Sequence, residues 1–311
     1  MTHFADRLAA LVEERRSQVV LGLDPDPAAL WSVAAEGIPS PDAGTDAAGA
    51  AAAEAVRAHC ADAIDAAGGA CVAVKPQLAC FERLGAPGWA ALAAVRDHAR
   101  AAGLLVLADG KRGDVPVTAA AYAQALVGST PSPFGEVQGL GADAFTANPL
   151  MGRDSLEPLI GAAAEAGAGC FLLVNTSNPG AADLQDIDAG GAPLHERVAE
   201  LVDEVGAGRV GDCGLSLVGA VAGATRPERL TRLRELMPRA IFLMPGVGAQ
   251  GGSALALAAA FSPHPAAGLI AASRSIVGAH AERGGDPATA AAAAAEELRA
   301  LAWKSSAEQR G

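Results

Sequence analysis

Charged residues follow a fully apolar stretch in the middle of the chain. The segment that begins at residue 104 reads L-L-V-L-A-D-G-K-R-G-D-V-P-V-T, so an apolar run leads directly into Asp109, Lys111 and Asp114. Residues two apart in an extended chain point to the same side, so Asp109 and Lys111 should project together from a strand end. Gly110 and Gly113 should let the backbone turn tightly between these charges. An isolated pair of this kind would be an ordinary surface ion pair, but its place after an apolar strand favours catalysis.

Two further charged residues also follow apolar runs. Lys75 lies in C-V-A-V-K-P-Q, and Asp24 lies in V-L-G-L-D-P-D-P. If these runs end at one face, Lys75 and Lys111 can alternate there with Asp109 and Asp114, and hydrogen bonds then hold each ammonium group charged and rigid, while Asp24 at the same face could contact a polar substrate. Taken singly, Lys75 could be an exposed lysine and Asp24 could be the N-cap of the next helix. The second lysine, Lys111, favours a shared pocket.

Glycines and an arginine in the last third of the chain predict an anion site. The segment that begins at residue 244 reads M-P-G-V-G-A-Q-G-G, and a later apolar run leads into A-S-R-S-I. Glycines let backbone N–H groups approach an anion, and a helix N-terminus adds a favourable dipole. Arg274 supplies a fork-shaped cation that suits phosphate oxygens, and Gln250 could add a donor.

The same glycines fit a competing motif. Gly246, Gly248 and Gly251 satisfy G-x-G-x-x-G, which is typical of dinucleotide-binding folds. That fingerprint belongs early in a βαβ unit, with an acidic residue about 20 positions later. The segment near residue 271 reads A-A-S-R-S and contains no acid. A site for a monophosphate is therefore the better interpretation.

Other polar groups give weaker signals. The loops N-T-S-N-P-G (175–180) and T-A-N-P-L-M-G (146–152) follow apolar runs, and they are either turns or donors to a heterocycle. The six histidines have no metal-ligand spacing, H-E-x-x-H is absent, and no Ser–His–Asp set follows the strands. We therefore expect an enzyme without a metal or an organic cofactor.

The elements that must position these residues alternate between apolar runs and helical patterns. Such runs are typical of a parallel sheet covered by helices, and the alternation indicates repeated βαβ units. Eight units in about 250 residues predict an α/β fold, a single-domain TIM (β/α)8 barrel, with the doubly wound open sheet as the alternative. The predicted strands are Gln18–Leu23, Ala70–Val74, Leu104–Ala108, Ala142–Ala147, Cys170–Val174, Leu215–Val221, Ile241–Met244 and Gly268–Ala272.

Segments outside the repeating units complete the predicted single domain of 311 residues. Residues 1–17 form an amphipathic pattern that predicts a helix. Residues 34–53 are rich in Pro, Gly, Ala and Asp, and residues 128–141 form a turn-rich loop, so both are interpreted as insertions. Residues 304–311 should form a frayed polar tail.

Composition limits the partners and the compartment. The chain is 51% hydrophobic with a net charge of −12, which argues against nucleic acid or an anionic membrane as a partner. No uncharged apolar stretch of about 18 residues predicts a membrane span. Five cysteines form no C-x-x-C pair, so we expect small buried side chains in a reducing cytoplasm. The cysteines are Cys60, Cys71, Cys80, Cys170 and Cys213.

The strongest motif is similar to one in a known family. D-G-K-R-G-D-V-P-V-T resembles the D-x-K-x-x-D signature of orotidine 5'-monophosphate (OMP) decarboxylases, and the long loops resemble the larger second bacterial subtype. V-K-P, G-V-G-A-Q-G-G and S-R-S-I follow the order of that family from Val19 to Ile276. The resemblance implies a TIM-barrel homodimer that converts OMP to uridine 5'-monophosphate (UMP) and CO2 in pyrimidine biosynthesis.

The resemblance also implies a role for each matching residue. Lys111 would donate a proton to C6 of the pyrimidine, and Asp109 would lie against the substrate carboxylate. Asp114 and Thr118 would reach the active site of the neighbouring subunit. Asp24 and Lys75 would contact the ribose, and Ser177 would contact the pyrimidine. The implied phosphate contacts are Gln250, Gly251, Gly252 and Arg274. Pro245 is a further implied substrate contact.

Three other functions are compatible with part of this pattern. Sister decarboxylases or aldolases of sugar phosphates share the D-x-K-x-x-D strand, but they use magnesium and are expected to carry an acid in place of Lys75. A Schiff-base lyase needs a neutral lysine, whereas two neighbouring aspartates favour the charged form of Lys111. A barrel that only binds a nucleotide would not need both lysines and both aspartates.

Overall fold

Eight parallel strands close into a barrel, so the predicted TIM (β/α)8 fold is confirmed. The computed structural model describes residues 2–36, 38, 45–247 and 254–307. The strands are β1 Val19–Leu23, β2 Ala73–Pro76, β3 Leu105–Arg112, β4 Ser129–Ser132, β5 Gly135–Gln138, β6 Ala144–Ala147, β7 Gly169–Asn175, β8 Val218–Ala222, β9 Phe242–Pro245 and β10 Gly268–Ala272. Around the barrel the strands follow the order β1, β10, β9, β8, β7, β6, β3 and β2, and β4 and β5 form a separate hairpin.

Helices surround the barrel and connect successive strands. Alanine fills many of their positions, because Ala has the highest helix propensity and packs closely on a sheet. The α-helices are α1 Phe4–Arg15, α2 Thr45–Ala67, α3 Leu78–Glu82, α4 Gly85–Ala101, α5 Pro116–Leu126, α6 Arg153–Ala166, α7 Ala182–Gln185, α8 Leu194–Gly206, α9 Pro227–Leu236, α10 Arg274–Val277, α11 His280–Arg283 and α12 Pro287–Ala307. Short 3-10 helices lie at Ser32–Ala35, Gly68–Ala70, Pro149–Met151, Pro179–Ala181, Ala254–Phe261 and Pro265–Ala267.

Helix α1 lies across the end of the barrel at which the strands begin. The fully buried ring of Phe4 meets Phe171 edge to face, with ring centroids 6.0 Å apart. A Cβ atom on Gly169, at the start of β7, would lie only 2.6 Å from the Phe4 ring. Arg7 also pairs with Asp143, just before β6, at 2.7 Å. This helix therefore leaves the opposite end, where the strands finish, as the open mouth.

The structure corrects the interpretation of residues 128–141 as a turn-rich loop. Strands β4 and β5 form a regular antiparallel hairpin, in which Ser129 pairs with Gln138 and Ser132 pairs with Gly135. Gly135 has φ of 108°, a left-handed value that suits glycine beside a tight turn. The hairpin follows α5 and precedes β6, so it lies at the end of the barrel opposite the mouth.

Two other predicted boundaries are wrong. Residues 45–53, predicted as part of an insertion, form the first turns of α2, because a run of alanines favours helix over loop. Residues 304–307, predicted as a frayed tail, continue α12, and Ser305 and Ser306 are buried there. The remainder of the predicted tail, 308–311, and residues 37 and 39–44 lie outside the described residues.

The cysteine prediction holds for three of the five side chains. All five cysteines are free, and Cys60, Cys71 and Cys170 are buried. Burial raises the pKa of the Cys71 thiol to about 12. Cys80 and Cys213 are only partly buried, so the prediction is wrong for these two. Among the helices that the structure describes, none is both long and apolar enough to span a membrane.

Candidate active site

The D-G-K segment forms a bulge at the carboxyl end of β3. Ala108 and Arg112 pair with two residues of β6 that are separated only by Thr146, so three residues of β3 lie opposite one residue of β6. Within this bulge, Lys111 has φ of 48°, a left-handed value that is uncommon for a residue with a Cβ atom. The Lys111 Nζ atom lies 2.6 Å from Oδ1 of Asp109, so the predicted meeting of these side chains is confirmed.

The two glycines of this segment act differently from the prediction. The left-handed residue is Lys111, and neither Gly110 nor Gly113 has positive φ. Their small size is what the fold requires. A Cβ atom on Gly110 would lie 2.7 Å from a side-chain carbon of Leu78, and one on Gly113 would lie 2.8 Å from the carbonyl oxygen of Asn148.

The carboxylate of Asp109 is the centre of a buried hydrogen-bond network. Its Oδ1 atom accepts from Lys111 Nζ at 2.6 Å and from Thr146 Oγ1 at 2.8 Å. Its Oδ2 atom accepts from Lys75 Nζ at 2.7 Å and from Gln77 Nε2 at 3.3 Å. Burial favours the neutral acid, but the charges of Lys75 and Lys111 and their hydrogen bonds outweigh it and lower the pKa of Asp109 to about 2.

Lys75 joins this network to Asp24, the residue that directly follows β1. It is buried, and its Nζ atom lies 3.9 Å from Oδ1 of Asp24. Burial alone would lower the pKa of Lys75, but the carboxylates of Asp109 and Asp24 raise it above the ordinary value. The first helical turn after β1 begins at Ser32, so Asp24 caps no helix. Three of the four members of the predicted array, Lys75, Asp109 and Lys111, therefore meet, and Asp24 lies beside Lys75.

A cavity of about 100 Å³ lies at the mouth beside these charges and opens to solvent. It spans the carboxyl ends of β9, β10, β1 and β2, which are neighbours in the barrel. Four residues predicted to contact substrate line it, namely Asp24, Lys75, Pro245 and Arg274. The other lining residues are Gly22, Gly246, Val247, Ala271, Ala272, Ser273 and Ser275. The predicted phosphate contacts Gln250, Gly251 and Gly252 lie outside the described residues.

Arg274 presents a cation to this cavity. It is the first residue of α10, and its side chain is exposed. It has no ion pair with any residue in the described part of the chain. A guanidinium group in this position can bind an anionic ligand without first breaking an internal bond.

Asp114 and Thr118 lie apart from the lysine and aspartate network. Oδ1 of Asp114 accepts a hydrogen bond from the backbone N–H of its own neighbour Val115, at 2.7 Å. Within the described ranges Asp114 forms no ion pair, although it follows the charged bulge by only three residues. Thr118 lies in the first turns of α5 and is partly exposed, beside Val117, which is 85% exposed.

Ser177 lies on the loop after β7. Its backbone packs against Gly223, where an added Cβ atom would come within 3.0 Å of it. The loop is held by Gln185, whose Oε1 atom accepts from the backbone N–H of Thr176 at 2.9 Å. Ser177 is not among the described residues that line the cavity.

Two residues of the network were not predicted as members of it. Thr146 was assigned both to the predicted strand Ala142–Ala147 and to the polar loop that begins there, and it is a buried residue of β6. Gln77 was noted only as the residue that follows V-K-P. The available signal was a single hydroxyl within the apolar run A-F-T-A, since a buried hydroxyl needs a partner.

The described residues do not form a metal centre. No group of three or more His, Cys, Asp or Glu side chains in that part of the chain could hold a metal ion. The buried carboxylate of Asp109 instead faces two ammonium groups, which take the place that a cation would occupy.

Comparisons with known proteins show the family of this chain. The family model for the orotidine 5'-phosphate decarboxylase / HUMPS family matches residues 17–294. The chain belongs to this family. Orotidine 5'-phosphate decarboxylase from Rhodopirellula baltica is 43% identical over 90% of this chain and 90% of its own. The decarboxylase from Deinococcus radiodurans is 39% identical over 95% of this chain and 96% of its own. The solved structure of Leishmania donovani OMP decarboxylase is 34% identical, covers 97% of this chain and 100% of its own, and has a TM-score of 0.69.

Proposed function

We propose that this protein is an OMP decarboxylase, a carboxy-lyase that converts OMP to UMP and CO2 in pyrimidine biosynthesis. One observation carries the proposal: the carboxylate of Asp109 is held between the ammonium groups of Lys75 and Lys111 beside a cavity that Arg274 also lines. Family membership and relatives that carry this name support the same reaction.

The proposed substrate lies along the cavity. Its phosphate binds Arg274, the backbone after Pro245, and the donors of residues 250–252, because a guanidinium group and backbone N–H groups suit phosphate oxygens. The ribose hydroxyls bind Lys75 and Asp24, which line the same cavity. The pyrimidine ring lies towards Lys111, with Ser177 as the predicted ring contact.

The chemistry follows from where negative charge develops. When the bond between C6 and the carboxylate carbon breaks, CO2 leaves and its electron pair stays in the plane of the ring, where the π system cannot delocalise it. The preorganised ammonium group of Lys111 stabilises this charge and transfers a proton to C6. Lys111 is then neutral and regains a proton from solvent.

Asp109 and the phosphate contribute before the bond breaks. An ionised Asp109 beside the substrate carboxylate repels it in the ground state, and this repulsion ends as CO2 departs. The low pKa of Asp109 supports this role, because the group stays ionised at neutral pH. Binding energy from the distant phosphate can offset the repulsion and drive closure of the site.

We propose further that the protein works as a homodimer in which Asp114 and Thr118 reach the neighbouring active site. Asp114 has no ionic partner among the described residues of its own chain, although it is a carboxylate close to two lysines in sequence. Val115 and Val117 beside it are 50% and 85% exposed, which fits a surface covered by a second subunit. Five free cysteines also fit work in the reducing cytoplasm.

The alternative functions are less consistent with these residues. A magnesium-dependent sister enzyme needs oxygen ligands where the buried ammonium of Lys75 stands. A Schiff-base enzyme needs a neutral Lys111, whereas its ammonium bonds the ionised Asp109. A binding protein without catalysis does not need a buried carboxylate held between two ammonium groups.

The deciding experiment measures the loss of OMP absorbance on addition of the protein. The chain has only three lysines, and the third, Lys304, is exposed on α12 and serves as the matched control. We expect turnover by wild type and by Lys304→Ala, and none by folded Lys111→Ala. A chelator should leave the rate unchanged, and borohydride should trap no adduct. No turnover by wild type, or near-normal turnover by Lys111→Ala, would reject the proposal.

A further inference from the structure

The hydroxyl group of Thr146 makes two hydrogen bonds at the bulge of β3. It accepts from the backbone N–H of Lys111 at 2.9 Å and donates to Oδ1 of Asp109 at 2.8 Å. The directions are fixed, because an N–H group can only donate and an ionised carboxylate can only accept. Thr146 is 1% exposed, so water does not replace either bond.

These two bonds meet at a point where the backbone is unfavourable for a residue with a Cβ atom. Lys111 has a left-handed φ, which brings a Cβ atom close to the next carbonyl group. The other described residue with a Cβ atom and positive φ is Arg16, where the end of α1 explains the conformation. At Lys111 no helix ends, and three residues of β3 face Thr146 alone. A side-chain acceptor therefore takes the place of a strand carbonyl for the Lys111 N–H.

We infer that Thr146 is a positioning residue for the proposed decarboxylation, whose hydroxyl holds the bulge that aims the Lys111 ammonium at the substrate. This inference rests on the proposed function. The side chain of Lys111 is 42% exposed, so its direction depends on its backbone and on Asp109, and Thr146 bonds both. Lys75 is held by burial and by two carboxylates.

Thr146 should affect the chemical step and not substrate binding. Thr146 is not among the described residues that line the cavity with Arg274, so the phosphate and ribose contacts should not depend on it. Removal of its hydroxyl should therefore lower kcat and leave KM nearly unchanged. A general loosening of the barrel would change both quantities.

The test compares Thr146→Val with Thr146→Ser and with a matched control elsewhere in the barrel. Valine keeps the shape of threonine without the hydroxyl, and serine keeps the hydroxyl. Ser216 is the control, because its buried hydroxyl also accepts from a backbone N–H, that of Val218, and donates to the carbonyl oxygen of Gly206. It precedes β8 at the closed end of the barrel, away from the site.

We expect kcat to fall about 10- to 100-fold in Thr146→Val, the effect of losing one hydrogen bond to a charged group. Thr146→Ser should recover most of the rate, and Ser216→Ala should lose thermal stability but keep its kcat. A kcat for Thr146→Val that matches wild type, or that falls no further than that of Ser216→Ala, would overturn the inference. If the valine variant does not fold, Thr146→Ala and Thr146→Ser provide the same comparison.

A crystal structure of Thr146→Val tests the inference without reference to activity. We expect Lys111 to leave the left-handed region and its ammonium group to move away from Asp109. An unchanged bulge would overturn the inference even if OMP is the substrate. An inactive wild type would instead reject the proposed function, and the geometry of the variant would still decide the role of Thr146.

Discussion

Asp109 is the residue on which the charges of the site depend. Its four hydrogen-bond donors come from β2, β3, β6 and the residue after β2, so the carboxylate connects strands that are distant in sequence. A buried carboxylate without these donors would be neutral. Its ionised state therefore reports directly on whether the network is assembled.

The pH dependence of stability should show this ionisation. The pKa of Asp109 is about 2 in the folded protein and 3.8 ordinarily, so the ionised group stabilises the fold above about pH 4. This contribution is lost as the pH falls from about 4 to about 2, because the unfolded chain then binds the proton first. Urea unfolding of wild type and Asp109→Asn should give a difference in the free energy of unfolding that shrinks over this interval. A difference that stays constant down to pH 2 would contradict the prediction.

At the scale of elements, α3 packs on α4, and these two helices connect β2, which contains Lys75, to β3. Gly88 of α4 lies against α3, and a Cβ atom there would lie 1.9 Å from the carbonyl oxygen of Phe81. Gly161 of α6 is also inside a helix, but an added Cβ atom would meet nothing within 4 Å. These two glycines form a matched pair.

Alanine should have opposite effects at these two positions. Gly161→Ala should raise the free energy of unfolding by about 0.5–1 kcal/mol, the usual gain of alanine over glycine in a helix. Gly88→Ala should lower it by about 1–3 kcal/mol, because the backbone of α3 must move. Chemical denaturation measures both. Stabilisation by Gly88→Ala would show that α3 and α4 are not packed as described.

The hairpin of β4 and β5 is an element that the proposed reaction does not use. Ser129 and Gln138 are paired across the hairpin, so a two-residue Asn-Gly turn can join them in place of residues 130–137. We expect kcat and KM for OMP to stay within about twofold of wild type, because the active sites of such barrels lie at the opposite end. Phe134, which is 98% exposed, would be removed with it, and solubility should not fall. A large loss of kcat would assign the hairpin a role in the reaction.

At the scale of the whole molecule, the site is a continuous arc over adjacent strands. From β9 through β10, β1, β2 and β3 to β6, each strand contributes a residue to the cavity or to the network. An anion-binding residue, Arg274, lies towards one end of this arc, and Lys111 lies towards the other. The chain as a whole carries a net charge of −12, so the cationic groups are a local feature of the mouth.

The proposed dimer makes a quantitative prediction for mixed subunits. Lys111→Ala and Asp114→Ala proteins should each be inactive, and a 1:1 mixture should recover roughly a quarter of wild-type activity, because half of the random dimers are hybrids with one intact site. Lys111→Ala mixed with Asp109→Asn is the matched control. It should recover nothing, since these two residues bond within one chain. No recovery in the first mixture, with subunit exchange shown by mass, would place Asp114 in the site of its own chain.

The sequence alone determined the fold class and most of the charged network. Eight apolar runs specify eight buried strands, because a strand covered on both sides must be apolar throughout. The charges after those runs, Asp24, Lys75 and Asp109 with Lys111, then meet because the strands of a parallel barrel all finish at one end. These inferences use only local pattern and a general rule of topology.

Tertiary structure alone decided the details that place the reacting groups. The left-handed Lys111, the bulge, and the bonds of Thr146 and Gln77 to Asp109 depend on the register between β3 and its neighbours. Register is set by packing between segments more than 30 residues apart, so the pattern of a single segment does not contain it. Tertiary structure also decided that Asp114 bonds the backbone N–H of Val115 and not the lysines of the network.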